Sequence, residues 1–223
     1  MLVSREWGIV FDSFPVLLQG TFVTVYLSVL AMVGAVIVGL LVAVVRVANI
    51  KGLTQLAQLY VSFFRGTPLL VQLLMLYFGL TSFNIILDPF PAALIGLILH
   101  FGAYISEIFR ATIISISTGQ WEAALSLGMT YSQALRRIVL PQAARIAIPP
   151  LWNCLIDVLK SSSLASVVTV PELTRQVEEQ SSAQFVFMPY FVTLALFYWV
   201  LVLVMGLVQE WLERKLRIPG GSS

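Results

Sequence analysis

Residues 13–45 contain no charged side chain, and no other feature of the chain narrows its possible folds as much. As an α-helix this stretch would be about 50 Å long, against a bilayer hydrocarbon core of about 30 Å. An uncharged element of that length belongs in a membrane, where it must tilt, bend or protrude. Composition agrees. Of 223 residues 59% are hydrophobic and 11% charged, with a mean hydropathy of +0.93, far from the balance of a soluble globular domain.

The remaining composition excludes other classes. A formal net charge of +2, spread along the chain, lacks the clustered basic face that binds nucleic acid. Cys154 is the only cysteine, so no internal disulfide forms, and in its apolar run the thiol reads as a small hydrophobe. Lone His100 reads as a satisfied buried imidazole, and no set of side chains has the spacing of a metal site. Residues 1–12 carry Arg5, Glu6 and Asp12 and do not show a signal-peptide pattern, so they read as part of the mature protein. The Gly-Gly-Ser-Ser of residues 220–223 has the composition of a flexible tail.

Further apolar segments follow: 53–80, 91–113, one starting near residue 147, and 186–208. The second is interrupted by Phe64-Arg65-Gly66-Thr67-Pro68. Proline removes a helical hydrogen bond and drives its predecessor out of the helical region, so a kink or break is expected near Thr67. Pro149-Pro150 is expected at the entrance of the fourth segment, where proline is tolerated. The chain therefore reads as an all-α integral membrane protein with five transmembrane helices. Arg46, Lys51, Arg110, Arg136, Arg137, Arg145, Arg214, Lys215 and Arg217 fall on one side. The positive-inside rule makes that side cytoplasmic, with the N-terminus outside and the C-terminus inside.

Between the third and fourth crossings, residues 114–146 form a cytoplasmic loop. Its segments 120–125 and 131–138 favour helix, with Gly128-Met129-Thr130 as the turn between them. On the second, Ala134, Ile138 and Val139 make an apolar stripe opposite Arg136 and Arg137. From pattern alone, an ordinary amphipathic connector fits as well.

Glu122-Ala123-Ala124, Gly128, Ile138 and Leu140-Pro141 resemble at every defined position the cytoplasmic loop of permease subunits in ATP-binding-cassette importers. Gly20-Thr21, Thr24, Leu27-Ser28, Gly39, Ala43, Arg46, the run from Phe64 to Leu69, Tyr104, Glu107, Arg110 and Gly119-Gln120 are similar to the polar amino-acid uptake branch. The resemblance covers about residues 13–212 and implies one permease domain over residues 1–219 in a bacterial cytoplasmic (inner) membrane. It also implies that the loop is a coupling helix docking on an ATPase dimer. A second permease subunit, identical or not, and an extracellular or periplasmic amino-acid-binding protein would complete the assembly, among membrane lipids. No Gly-x4-Gly-Lys-Ser/Thr loop occurs in this chain; ATP and its Mg belong to the partner, and this subunit carries no cofactor and catalyses no reaction.

Charges at bilayer depth are costly and make functional candidates by default. Asp157 and Lys160, three apart, either neutralise each other or line the path with Ser161 and Ser162. Relatives often carry an acidic residue where this chain has Ser161, which argues against a cationic substrate. Arg65 either grips a substrate carboxylate or anchors the interface and pairs with Glu107. Thr67, Gln72, Tyr77 and Tyr104 offer hydrogen bonds without charge. The outer run Val170-Pro171-Glu172-Leu173 and Glu178-Glu179 offers charge to a binding protein or to water. The competing reading is an ion-coupled secondary carrier with Asp157 as its coupling carboxylate; such carriers show paired broken segments, and only one break is evident.

Overall fold

The computed structural model describes residues 2–216; the tail at 220–223 lies outside the described residues. A short helix, α1 (Leu2–Asp12), precedes α2 (Phe14–Val47), the long uncharged stretch realised as one unbroken helix. Then come α3 (Leu53–Gly66) and α4 (Leu69–Leu74), the latter running into a π turn at Met75–Gly79 and a 3-10 turn at Leu80–Phe83. Helix α5 (Pro89–Ile114) leads to the loop helices α6 (Thr118–Ser126) and α7 (Tyr131–Ala134). A π turn at Leu135–Val139 joins α7 to α8 (Leu140–Ser161), and a 3-10 turn (Ser162–Val168), α9 (Leu173–Gln184) and α10 (Met188–Leu216) complete the chain. Four of these runs are long and apolar enough to cross a bilayer, and the bent pair α3–α4 makes a fifth span when counted as one.

The core sits where α2 meets α5. Buried positions of α2 recur every three or four residues and are mostly small: Gly20, Thr24, Ser28, Ala31, Ala35, Gly39 and Ala43. Small residues let helix backbones approach closely, which is how helices associate where the solvent is itself apolar. A Cβ built on Gly39 would stand 2.7 Å from Ile105 Cγ2 and 3.0 Å from the Ser106 backbone nitrogen. Leu69 and Leu73 of α4 and Cys154 and Val158 of α8 close the same core, which bears out Cys154 as a packing residue. Helix α10 lies at the edge, with Leu196, Trp199, Leu203, Leu207 and Trp211 exposed.

Three expectations are corrected. The helix of the fourth segment starts well before residue 147: one helical run extends over residues 131–168. Pro141 cannot donate to the carbonyl four residues back, and the π turn just before it absorbs that missing bond without ending the helix. Pro149 and Pro150 accordingly lie inside α8, not at its entrance, as membrane helices tolerate when neighbours satisfy the freed carbonyls. Glu172 is not a surface charge. It is fully buried as the N-cap of α9, its carboxylate accepting from the backbone N–H of Arg175 at 2.8 Å and of Thr174 at 2.9 Å. The Tyr198 hydroxyl of α10 and the Thr24 hydroxyl of α2 donate to the same carboxylate at 3.2 and 3.3 Å. One side chain thus ties α2, α9 and α10 together.

Candidate functional site

The break expected near Thr67 turns the chain by 108° between α3 and α4. Thr67 is extended, with φ −118° and ψ 146°, as a residue before proline must be. The carbonyls stranded there are met by two side chains: the Thr67 hydroxyl donates to the Phe63 carbonyl at 2.9 Å, and the two hydrogens of Gln72 Nε2 are shared among the Phe64 carbonyl at 3.0 Å, the Thr67 carbonyl at 3.1 Å and the Thr67 hydroxyl oxygen at 2.8 Å. Gln72 Oε1 in turn faces His100 Nδ1 on α5 at 3.1 Å. Thr67 and Gln72 therefore build the elbow that carries Arg65 and do not line the cavity beside it.

That cavity, about 730 Å³, lies between α5 and α8 with Arg65 at its rim. Helix α5 contributes His100, Phe101, Tyr104, Glu107, Ile108 and Ala111; α8 contributes Pro150, Asn153, Cys154, Asp157, Lys160 and Ser161. Of the residues singled out from sequence, Arg65, Tyr104, Asp157, Lys160 and Ser161 come together here. Tyr77 does not; its hydroxyl reaches Thr169 at 3.4 Å. Ser162 is buried and donates to the Leu159 carbonyl.

The charges divide into fixed and free. Glu107 is forked between Arg46 of α2 and Arg110 of its own helix, the latter at 2.9 Å. Arg65 does not share that fork. Its guanidinium lies 5.3 Å from the centroid of the Tyr104 ring, a cation–π placement, with no ion-pair partner among the described residues. Asp157 and Lys160 pair at 2.8 Å, both more than half exposed, so the pair is open to the cavity. An exposed i,i+3 pair is weak and readily exchanged for a ligand's charges.

The second feature is the knuckle between α6 and α7. Gly128 has φ +78°, a conformation in which any Cβ is strained. Its N–H bonds the Leu125 carbonyl while Met129 bonds back to Ala124, the paired bonds of a Schellman turn. Thr130 then caps α7 reciprocally with Gln133, and Trp121 stacks on Tyr131 at 4.6 Å. Ala124, Ala134 and Val139 point inward, whereas Leu125, Leu127, Tyr131 and Leu140 are exposed. Glu122, Ala123, Gly128 and Pro141 are exposed as well, with Ile138 half-buried.

His100, Phe101, Pro150 and Asn153 were not anticipated as lining residues, yet a signal was present. His100, Tyr104, Glu107 and Ala111 on α5, and Pro150, Asn153, Asp157 and Lys160 on α8, are spaced three or four apart. Each set marks one stripe of its helix.

A multi-spanning helical subunit that holds a charged cavity between two of its helices has the build of a transport subunit. Residues 35–218 match the family described as binding-protein-dependent transport system inner membrane component, and the chain belongs to that family. It is 44% identical over 214 residues to the probable amino-acid ABC transporter permease protein PatM of Vibrio harveyi, spanning 95% of this chain and 96% of that one. It is 35% identical over 215 residues to the glutamine transport system permease protein GlnP of Escherichia coli, at 96% and 98% coverage. A crystal structure of an amino acid ABC transporter with histidines superposes with a TM-score of 0.90 at 35% identity, covering 92% of this chain and 96% of that chain. Inward-facing MetNI methionine ABC transporter gives 0.78 at 20% identity, covering 93% and 99%, and shares the fold. The chain is thus an inner-membrane permease subunit of an ABC importer, working with a second permease and with a separate subunit that hydrolyses ATP. Family membership sets the ion-coupled carrier aside.

Proposed function

We propose that the subunit moves an amino acid through the α5–α8 cavity by alternating access, driven through the knuckle by an ATPase dimer that binds ATP and Mg. The observation that carries this reading is the convergence of Arg65, Tyr104, Asp157 and Lys160 on one cavity of about 730 Å³. A free guanidinium suits a carboxylate, and the open Asp157–Lys160 pair suits a dipolar head group or polar side chain. Substrates named for relatives, glutamine for one and L-cystine for another, fit a polar, uncharged or zwitterionic cargo. Ser161 in place of an acidic residue supports the same class.

The exposed apolar rim of Leu125, Leu127 and Tyr131, with Glu122, Ala123 and Ala124 beside it, is the docking face for the ATPase. Ile138, Leu140 and Pro141 join it rigidly to α8, so that a push on the knuckle moves a cavity wall as a body. The orientation is N-terminus outside and C-terminus cytoplasmic, and residues 1–219 act as one domain. An amino-acid-binding protein delivers cargo at the outer face, and lipid covers α10. Uptake into proteoliposomes is expected to need ATP and the ATPase and to survive collapse of ion gradients. Arg65→Ala and Asp157→Asn should each cut uptake at least about tenfold, the worth of one charge-assisted contact. Full uptake by both variants would refute the path.

A further inference from the structure

We propose that His100 binds the ammonium group of the transported amino acid through the lone pair of Nε2. This rests on the reading of the α5–α8 cavity as the path. The argument starts at the helix break. Gln72 Nε2 faces three oxygens, two of them carbonyls that carry no proton. The amide cannot be reversed, because its oxygen would then face two carbonyl oxygens, and the Thr67 hydroxyl already donates to the Phe63 carbonyl at 2.9 Å. Oε1 is therefore the atom facing His100 Nδ1 at 3.1 Å, and because Oε1 can only accept, Nδ1 carries the proton. In the neutral ring the other nitrogen is then an acceptor.

Nε2 is the ring nitrogen that no protein group claims. It has no partner among the described residues, yet no buried side-chain nitrogen or oxygen there lacks one, so Nε2 is not buried. Nδ1 is turned to Gln72, which is 3% exposed, and the ring lines the cavity. Nε2 is therefore the ring nitrogen left for a ligand in that cavity.

The neighbours complete a zwitterion site. The His100 ring lies 5.1 Å from the Tyr104 ring, and the Arg65 guanidinium lies 5.3 Å from that same ring. Arg65 and His100 are thus held within about 10 Å of each other across one aromatic wall. An α-amino acid spans such a gap with its carboxylate on the donor Arg65 and its ammonium on the acceptor Nε2, using contacts of about 2.9 Å at each end. The cargo's own side chain is left to Asn153, Asp157 and Lys160. The helix break therefore fixes a tautomer as well as a shape.

Two substitutions separate ligand binding from scaffolding. His100→Gln keeps an acceptor near the Nε2 position and gives up the bond to Gln72. His100→Asn keeps a donor for Gln72 and gives up the acceptor. The complete importer in proteoliposomes is offered a uniformly 13C-labelled mixture of the twenty L-amino acids, with uptake read by mass spectrometry at sub-saturating concentration. His100→Gln should retain uptake within about threefold, whereas His100→Asn should lose at least about tenfold, the value of one hydrogen bond to a charged group.

Because this chain has a single histidine, the difference between wild-type and His100→Gln 15N-histidine spectra isolates its imidazole. That spectrum should show a protonated Nδ1 and a bare Nε2 that shifts when the amino-acid mixture is added. The reverse order of the two variants, equal behaviour of the two, or an Nε2 signal indifferent to amino acids would overturn the assignment. If Arg65→Ala and Asp157→Asn abolish uptake in those same experiments, the path stands and only the role of His100 falls. If they too transport normally, the path itself is wrong.

Discussion

Replacing Glu172 with glutamine tests how the corner between α2, α9 and α10 is held. Burial pushes this carboxyl up from 4.5 to about 7, against the opposing pull of the donors from Thr174, Arg175 and Tyr198. The folded chain therefore keeps the proton up to about pH 7, whereas the unfolded chain releases it near 4.5. A group raised in this way contributes its full stability below the unfolded value and loses it as pH climbs through the folded one. Between pH 5 and 8 the loss is about 2–3 kcal/mol. For a chain of this size that corresponds to about 5–10 °C in apparent melting temperature.

Glu172→Gln cannot titrate, so its profile should be flatter than wild type by that amount. An amide also turns an NH2 group onto one of the two backbone N–H groups the carboxylate now serves. At pH 5 the variant should therefore lie about 1–3 kcal/mol below wild type, and the two curves should converge toward pH 8. Tryptophan fluorescence during heating of the purified subunit at stepped pH reads both effects. Taking the difference between the curves cancels groups common to both, His100 included. Parallel curves would refute the buried-proton account.

Gly39→Val pushes a Cβ to 2.7 Å from Ile105 Cγ2 and 3.0 Å from the Ser106 nitrogen. Overpacking of that kind should cost about 1–3 kcal/mol, read as a lower melting temperature. Gly128→Val meets no atom within 4 Å but keeps φ +78°, a backbone cost of about 1–2 kcal/mol. The chain should insert normally while uptake per ATP hydrolysed falls several-fold; an unchanged ratio would refute the coupling role. Glu107→Gln leaves Arg46 and Arg110 without their shared carboxylate. It should destabilise by about 1–3 kcal/mol, and an unchanged melting curve would show the fork to be dispensable.

Much of the fold was legible in residue order because the bilayer imposes simple rules. The uncharged run of α2, the break at Thr67-Pro68 and the Gly128 turn each follow from one local constraint: segment length, a missing N–H, a left-handed φ. The loop stripe of Ala134 and Val139 buried opposite Arg136 and Arg137 follows from helical spacing. The misreadings arose where a local rule had an unseen compensation. Pro149-Pro150 looked like a helix entrance because the π turn that carries the helix through Pro141 ahead of them is not written in any residue type. Glu172 looked solvated because its donors come from Thr24 and Tyr198, 148 and 26 positions away.

Taken alone, the order of residues determined that this is a helical membrane permease with a knuckle between its third and fourth spans. Hydrophobic length, proline and glycine act within a few residues of themselves, and their effects do not wait for a partner. Only the tertiary structure decided which polar groups meet. It added Arg46 to the Glu107–Arg110 pair that helical spacing already suggests, left Arg65 over Tyr104, and turned Gln72 so that His100 must hold its proton on Nδ1. Those outcomes depend on helices packed at angles and depths that no local pattern specifies. The scaffold can therefore be read from the chain, while the chemistry of its cavity is settled by packing.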